Sequence, residues 1–530
     1  MSTLRRLRLL CEMSFVVMAA MTRAEADPEK RYIVSYPSEK AARTGRAAML
    51  RLERELPAQN AVAVRLTAAE AARLASDPDV LLVEPDPRRY RVTVARARPS
   101  STDIRPAATS GSTQVIPYGI SAVKAVGLVG VPNAGIKVCV IDSGYDLGHE
   151  DKPAKPIVSG QDDPAGAGLW TRDPSGHGTH VSGTINARNN TTGVVGVFPR
   201  APMHIIKVFN ANDDWIYSSD LIAALDRCMA AGAQVVNMSL GGADESTVER
   251  EAFGRARESG VITVAAAGND ATSTFSYPAS YPSVISVAAI DENLQRAGFS
   301  NFNSQVLLSA PGVSVLSTLP RGSTVKVDLT TLLGTQSAVP MDNFPVPTAP
   351  VSARLVNCGL AGSPLDCVPG AAGAICLIER GGDIFFSTKA QSCEAAGGIG
   401  AVVFNKVGET GPVYGTLGET RVGIPVVGID RTTGLSLRKS YLGTTATLNF
   451  SNWPYGYLSG TSMATPHVAG VAALVWSRHP RCTSETIRKA LIFTAQDLGL
   501  PGRDPDYGVG LVRARPASAW LARQPCGSAP

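Results

Sequence analysis

The sequence predicts an α/β fold on a mostly parallel sheet, with a small α+β unit at its N-terminus and a β-rich insertion before its C-terminal segment. Three observations point to it. Continuous apolar, β-branched runs at Val138–Ile141, Met203–Val208, Gln234–Met238, Val261–Ala265 and Val284–Ala289 read as strands buried on both faces. Helical stretches at Ser218–Ala231 and Glu249–Ser259 alternate with them, which implies a parallel sheet with right-handed crossovers. Third, about 130 residues separate Pro311–Pro320 from the last segment, with their own short apolar strands and a cysteine cluster.

The composition is that of a globular chain: 530 residues, 44% hydrophobic and 18% charged. That length predicts about three to four domains. The net charge of +5 is mild, and no stretch forms a nucleic-acid patch. No apolar run is long enough to span a membrane. Arg5, Arg6 and Arg8 precede a mostly apolar Leu9–Met21, and Ala24-Glu25-Ala26 offers a small-x-small cleavage site, so residues 1–26 read as an export signal. Glu12 interrupts the apolar run. Leu10 stands before Cys11 where a lipoprotein signal requires a small residue. The expected location is extracellular.

Nine cysteines fit an exported chain. Cys358, Cys367, Cys376 and Cys393 lie within 36 residues and predict two local disulfides, with Cys358–Cys367 and Cys376–Cys393 favoured among three pairings. Cys482 and Cys526 are placed to tie the C-terminal tail to the core. Cys139 and Cys228 are left open between a disulfide and two buried thiols.

Residues 27–95 read as a compact α/β unit. Arg31–Tyr36 is a strand, a charged amphipathic helix covers Lys40–Leu56, and Ala61–Leu66 is a second strand. Thr67 caps a helix running to Ala75. Asp79–Val83 then leads into Glu84-Pro85-Asp86. Val92–Ser112, rich in Arg, Ser, Ala and Pro, has a linker composition.

The chemistry is concentrated in three motifs. In Gly460-Thr461-Ser462-Met463-Ala464 a serine heads an apolar stretch, where helix N–H groups can receive a developing oxyanion. Lys137–Gly144 is a buried strand ending in Asp142, and catalytic groups collect at such carboxyl ends. Ser175-Gly176-His177-Gly178-Thr179-His180 holds two of the six histidines at a helix start. Zinc is a poor reading, because no Glu follows His177 and no third ligand is evident. A general base is the better one. An Asp-His-Ser order disfavours an α/β-hydrolase, in which the serine comes first.

All three motifs, in this order, resemble the subtilisin-like serine proteases, the subtilases. The resemblance covers roughly residues 114–320 and 453–520. It implies the subtilisin-like three-layer fold over 113–320 and 453–530, and an Asp142-His177-Ser462 triad. Asn269, at the end of Val261–Asp270, would be the side-chain donor to the tetrahedral intermediate, beside the Ser462 N–H. Residues 27–112 resemble the subtilase propeptide and its linker, a ferredoxin-like unit that inhibits its own enzyme until cleaved. The cut is expected between Tyr90 and Gln114. Residues 321–452 resemble the protease-associated domain, from the strand before Glu379-Arg380-Gly381, the Ala-Gly-Gly before a strand, and Ile424-Pro425-Val426-Val427. This module is expected to gate or bind substrate.

By the same resemblance, Ser239, Leu240 and Gly241 would pair with substrate backbone on one side, and Asp214, Trp215 and Ile216 on the other. Gly268 and Asn269, with Ser276 and Tyr277, would wall the first specificity pocket. No acid is evident there, so apolar or aromatic residues are expected before the cut. Register implies a calcium site with side chains of Gln114, Asp151 and Asn190 and carbonyls of Arg188, Thr192 and Val194. The expected function is a secreted serine endopeptidase made as a self-processing proenzyme. Its expected partners are protein or peptide substrates and its own propeptide, with no nucleic acid and no membrane span. The rivals are a silent scaffold on the same fold, opposed by the complete Asp-His-Asn-Ser set, and an esterase, opposed by residue order.

Overall fold

The computed structural model describes residues 29–47, 51–92, 95–96, 114–162, 167–210, 212, 215–367, 370–409, 411–418, 420–523 and 526. The expected export signal, most of the linker and Asp214 lie outside the described residues. The chain divides into two compact units. One comprises residues up to Arg88 with Tyr217–Ala223 and Glu245–Ala252, and the other comprises the rest.

In the first unit, strands Lys30–Ser35, Leu52–Leu56, Ala61–Leu66 and Leu82–Pro85 form an antiparallel sheet. In chain numbering its spatial order is second, third, first, fourth. Helices Glu39–Ala47 and Ala68–Ala75 connect these strands in the ferredoxin-like pattern. Thr67 forms a capping box with Glu70, as its sequence position predicts. The helix expected over 40–56 stops at Ala47, and Leu52–Leu56 is an edge strand. Leu52 and Leu56 are four apart, a spacing that shares a face in helix and strand alike, so periodicity alone misassigned them.

Two acids of this unit cap helices. Glu84 accepts hydrogen bonds from the N–H groups of Thr247 (2.9 Å) and Val248 (3.1 Å) at the head of helix Thr247–Glu258. Asp86 accepts from the Ser219 N–H (2.9 Å) and hydroxyl (2.6 Å) at the head of helix Ser218–Ala230. Each meets the unpaired donors and positive dipole end of its helix. Arg31 neutralises Asp86 at 2.9 Å.

The second unit is built on a seven-stranded sheet. Its order is Val306–Pro311, Val284–Ile290, Ile262–Ala266, Val235–Met238, Val138–Asp142, Met203–Lys207, Val158–Gln161, and every neighbouring pair is parallel. Five strands match the sequence expectation to within about two residues. The two unpredicted ones form the sheet edges, and Val158-Ser-Gly-Gln has no apolar run to announce it. Helix Thr461–Arg478 is buried all round from Thr461 to Ser477 and packs against five strands of this sheet, in keeping with its mostly small and apolar composition.

Between Val325 and Asn452 the chain closes a seven-stranded barrel. Val325 pairs with Asn452, so the barrel begins and ends at one place. All four disulfides weighed from the sequence are present, including Cys139–Cys228. Among the described residues, no helix is long and apolar enough to cross a membrane.

Candidate active site

The sheet determines where chemistry can gather. The Asp142 strand, first of the seven in sequence, has later strands on both of its sides, so the sheet order switches there. Groups at the carboxyl ends of strands beside such a switch line a crevice. Asp142 ends one of these strands, and Ser239 follows the end of its neighbour, Val235–Met238.

His177 opens helix His177–Asn186, and side chains meet the first three N–H groups of that helix. The His177 N–H donates to Ser175 Oγ (3.3 Å), the Gly178 N–H to Ser143 Oγ (2.9 Å), and the Thr179 N–H to Asp173 Oδ2 (2.6 Å). Gly178 permits the close approach this requires, since a Cβ there would fall 2.3 Å from the Gly144 carbonyl oxygen. The helix start thus holds the imidazole against the strand end, where His177 Nδ1 donates to Asp142 Oδ1 over 2.8 Å. Burial opposes the Asp142 charge. His177, the Ser143 N–H and Arg91 outweigh it and hold the carboxyl below its ordinary range. Asp142 and His177 are each 1% exposed.

Ser462 stands in the first turn of the helix Thr461–Arg478. Pro466 has no N–H to give the Ser462 carbonyl four residues back. Ser239 Oγ donates to that carbonyl instead, at 2.9 Å, and so ties the helix start to the neighbouring strand end. Ser462 Oγ lies 3.1 Å from the Ser239 carbonyl oxygen and 3.4 Å from that of Val92. His177 Nε2 is buried without a hydrogen-bond partner among the described residues, and the contacts of the Ser462 hydroxyl are the Ser239 and Val92 carbonyls. Asn269 Oδ1 accepts from the Thr461 N–H (2.8 Å) and hydroxyl (2.9 Å), which fixes the amide with Nδ2 as its donating end. His180 is buried and bonded to the Val315 and Gly456 carbonyls. Burial presses its pKa down to about 3, so it is neutral.

The expected substrate-pairing strand is occupied by the chain itself. Leu240 pairs with Arg91 and Gly241 with Tyr90, antiparallel. The three-stranded sheet they share is completed by Ile216–Tyr217. Trp215 is half-buried beside it. A cavity of about 540 Å³ next to Val92 is lined by Gly268, Asn269 and Ser276, as expected, but Tyr277 is not among its lining residues. Tyr277 instead forms a bridge with Gly242. The cavity also holds an acid, Asp270, which corrects the expectation of none. Asp270 sits one residue past Asn269, and its carboxylate accepts from Asn301 at 3.3 Å.

The six expected calcium ligands come together. Gln114 Nε2 faces four oxygens: the Arg188 carbonyl (2.9 Å), Asn190 Oδ1 (2.9 Å), the Thr192 carbonyl (3.1 Å) and the Val194 carbonyl (3.1 Å). A side-chain amide nitrogen has only two hydrogens. Two of the four oxygens therefore meet it with no proton between. Asp151 borders the cluster, fully buried, accepting from Asn190 Nδ2 (2.8 Å) and the Val194 N–H (2.7 Å).

Sequence reasoning passed over Ser143 and Asp173. Ser143 Oγ bridges the Asp142 and Asp173 carboxylates at 3.1 and 2.8 Å. The available signal was an acid four residues before His177, in position to cap the histidine helix.

The chain matches the subtilase family over residues 133–342 and 426–510, and the PA domain over residues 351–437. Subtilisin NAT of Bacillus subtilis subsp. natto is 34% identical over 338 residues, 61% of this chain and 82% of that one. Subtilisin DY of Bacillus licheniformis is 42% identical over 233 residues, 43% of this chain and 81% of that one. Among solved structures, the psychrophilic subtilisin-like protease Apa1 from Pseudoalteromonas sp. AS-11 is 39% identical with a TM-score of 0.57, over 78% of this chain and 100% of that one. Fervidolysin from Fervidobacterium pennivorans, described as a keratinolytic enzyme related to subtilisin, is 25% identical with a TM-score of 0.60, over 96% and 62%.

Asp173→Ala would remove the acceptor of two N–H groups beside His177. It is expected to lower kcat on a tetrapeptide about tenfold, roughly 1.4 kcal/mol of barrier, with KM little changed. A loss of helix capping of about 1 kcal/mol should accompany it, read by thermal denaturation.

Proposed function

The chain belongs to the subtilase family and is a serine endopeptidase, and from that premise we propose that it is exported as a proenzyme that processes itself and then cleaves proteins through Asp142, His177, Ser462 and Asn269. The observation that carries this reading is the buried Asp142–His177 contact of 2.8 Å, together with a Ser462 hydroxyl lying 3.4 Å from a peptide carbonyl. Asp142 holds Nδ1 of His177 protonated, leaving Nε2 to accept. After rotation of its hydroxyl, Ser462 gives its proton to Nε2 and attacks the carbonyl carbon. Nε2 then protonates the leaving amine. Asn269 Nδ2 and the Ser462 N–H stabilise the oxyanion. Ser239–Gly241 and Trp215–Ile216, with Asp214, bind the substrate as an added strand, and Gly268 borders the first pocket.

In this reading residues 1–26 direct export and 27–112 form the inhibitor propeptide and linker. Residues 113–320 with 453–530 form the catalytic domain, and 321–452 the inserted PA domain. Arg89–Val92 supports the inhibitor role, because it already fills the strand position a substrate needs.

Ser462→Ala is expected to bring proteolysis to background. Asn269→Ala should cost about 100–1000-fold in kcat, the range known for this kind of donor in subtilisin itself. Retention of most turnover by either variant, measured on a chromogenic peptide, would refute the assignment.

The oxygen cluster around Gln114 fits a structural calcium ion, which Asp151, Asn190, the Arg188, Thr192 and Val194 carbonyls and the amide oxygen of Gln114 would hold. Unmatched oxygens facing an amide nitrogen are the environment a hard cation would satisfy. When bound, the ion would supply positive charge that cross-links these segments. Excess chelator is expected to lower Tm, since a metal bound only by the native state stabilises it. Asp151→Ala should abolish most of that shift. Gln114 is seated while the chain is still continuous through the cleft, so the Ser462→Ala precursor should show the same calcium-dependent Tm. An unchanged Tm in chelator would count against the site.

A further inference from the structure

We propose that the first self-cleavage breaks the bond after Val92, and that the enzyme reads Arg89 and Val92 as its two buried specificity contacts. This rests on the serine-protease reading above and goes beyond it by naming the bond and the residues that are read. Register identifies the bond. Gly241 pairs with Tyr90 and Leu240 with Arg91, so the next position, Ser239, stands opposite Val92. Ser462 Oγ lies between these two carbonyl oxygens, 3.1 Å from Ser239 and 3.4 Å from Val92. Beyond the serine the chain pairs again, with Ala95 opposite Ser459 and Arg96 opposite Leu458. The polypeptide is thus held as an added strand on both sides of the nucleophile, and Val92 supplies the carbonyl presented to it.

The side chains of this strand are not equally held. Val92 is 9% exposed and faces the cavity that Gly268, Asn269 and Ser276 line. Arg89 is 0% exposed, whereas Tyr90 between them is 46% exposed. A guanidinium is buried that completely only where acceptors meet it. The fourth position before the cut should therefore demand a long cationic side chain, and the third should tolerate substitution.

The step balances with water as its only co-reactant. Ser462 Oγ bonds to the Val92 carbonyl carbon and its proton passes to His177. The C–N bond to Thr93 breaks, and that nitrogen takes the proton. Water then adds to the ester carbonyl, its proton returning through His177 to Oγ as the ester bond breaks. The products are a pro-segment ending at Val92 and a chain beginning at Thr93, about 20 residues before Gln114.

The test follows the full-length chain through early processing by intact mass and terminal sequencing, with Ser462→Ala in parallel. The expected result is a first fragment ending at Val92 in the wild type and an uncut Ser462→Ala chain. A first cut elsewhere, in an enzyme that hydrolyses peptides normally, would overturn the bond assignment while leaving the protease reading intact. A cut after Val92 in Ser462→Ala would assign the bond to another protease and overturn self-cleavage there. A peptide of residues 89–96 should be split after Val92 by the purified enzyme. Replacing its Arg89 with Ala should lower kcat/KM at least tenfold, and replacing Tyr90 with Ala less than threefold. Equal losses at the two positions, or none at Arg89, would overturn the specificity assignment.

Discussion

Asp142 holds a charge where water does not reach it, and much of the rest of the structure is arranged to allow that. Desolvating a carboxylate costs several kcal/mol even in a relaxed protein interior. The cost is offset by the His177 imidazole at 2.8 Å and by the Ser143 N–H at 2.7 Å. Lys207, buried behind the strand end, donates to the Ser143 carbonyl and keeps that turn in place. The carboxylate therefore stays ionised and orients the His177 ring. A neutral acid in the same place could do so only weakly.

That one contact joins elements far apart in sequence. The parallel sheet brings the ends of the Asp142 and Met238 strands side by side, and the His177 and Ser462 helices begin over them. Both helix starts are held by side chains rather than by their own backbone. Asp173, Ser143 and Ser175 hold the first. At the second, Ser239 takes over the carbonyl that Pro466 leaves unpaired, and Asn269 receives the Thr461 N–H. The same logic recurs at the N-terminus, where Glu84 and Asp86 cap two further helices. In each case polar side chains complete helix ends and leave nearby reacting or pairing groups in fixed geometry.

Much of this was legible in the sequence because continuous apolar runs are unambiguous. Five of the seven sheet strands announce themselves that way, and Asp142, His177 and Asn269 each stand within two residues of a glycine. Leu52–Leu56 was not legible, since its spacing suits helix and strand equally. Val158–Gln161 was not, since an edge strand needs no apolar run. Asp270 was overlooked as a cavity residue because it follows Asn269 in a turn, and only the fold shows which way that turn faces. Asp173 and Ser143 were hidden for a related reason. Their roles include hydrogen bonds to backbone N–H groups, which leave little mark in a sequence beyond the acid four residues before His177. The part played by Pro466 likewise depends on Ser239, more than 200 residues away.

The central claim is that Ser462 is a nucleophile because a buried imidazole, fixed by Asp142, can take its proton. The most direct measurement is mass spectrometric mapping of the processed enzyme after a serine-directed phosphonylating reagent, with loss of activity followed in the same sample. The account predicts one adduct per molecule, on Ser462, with activity lost in proportion to it, and none in Asp142→Asn over the same time. Modification of a different residue in step with inactivation, or labelling of Asp142→Asn at the wild-type rate, would contradict it.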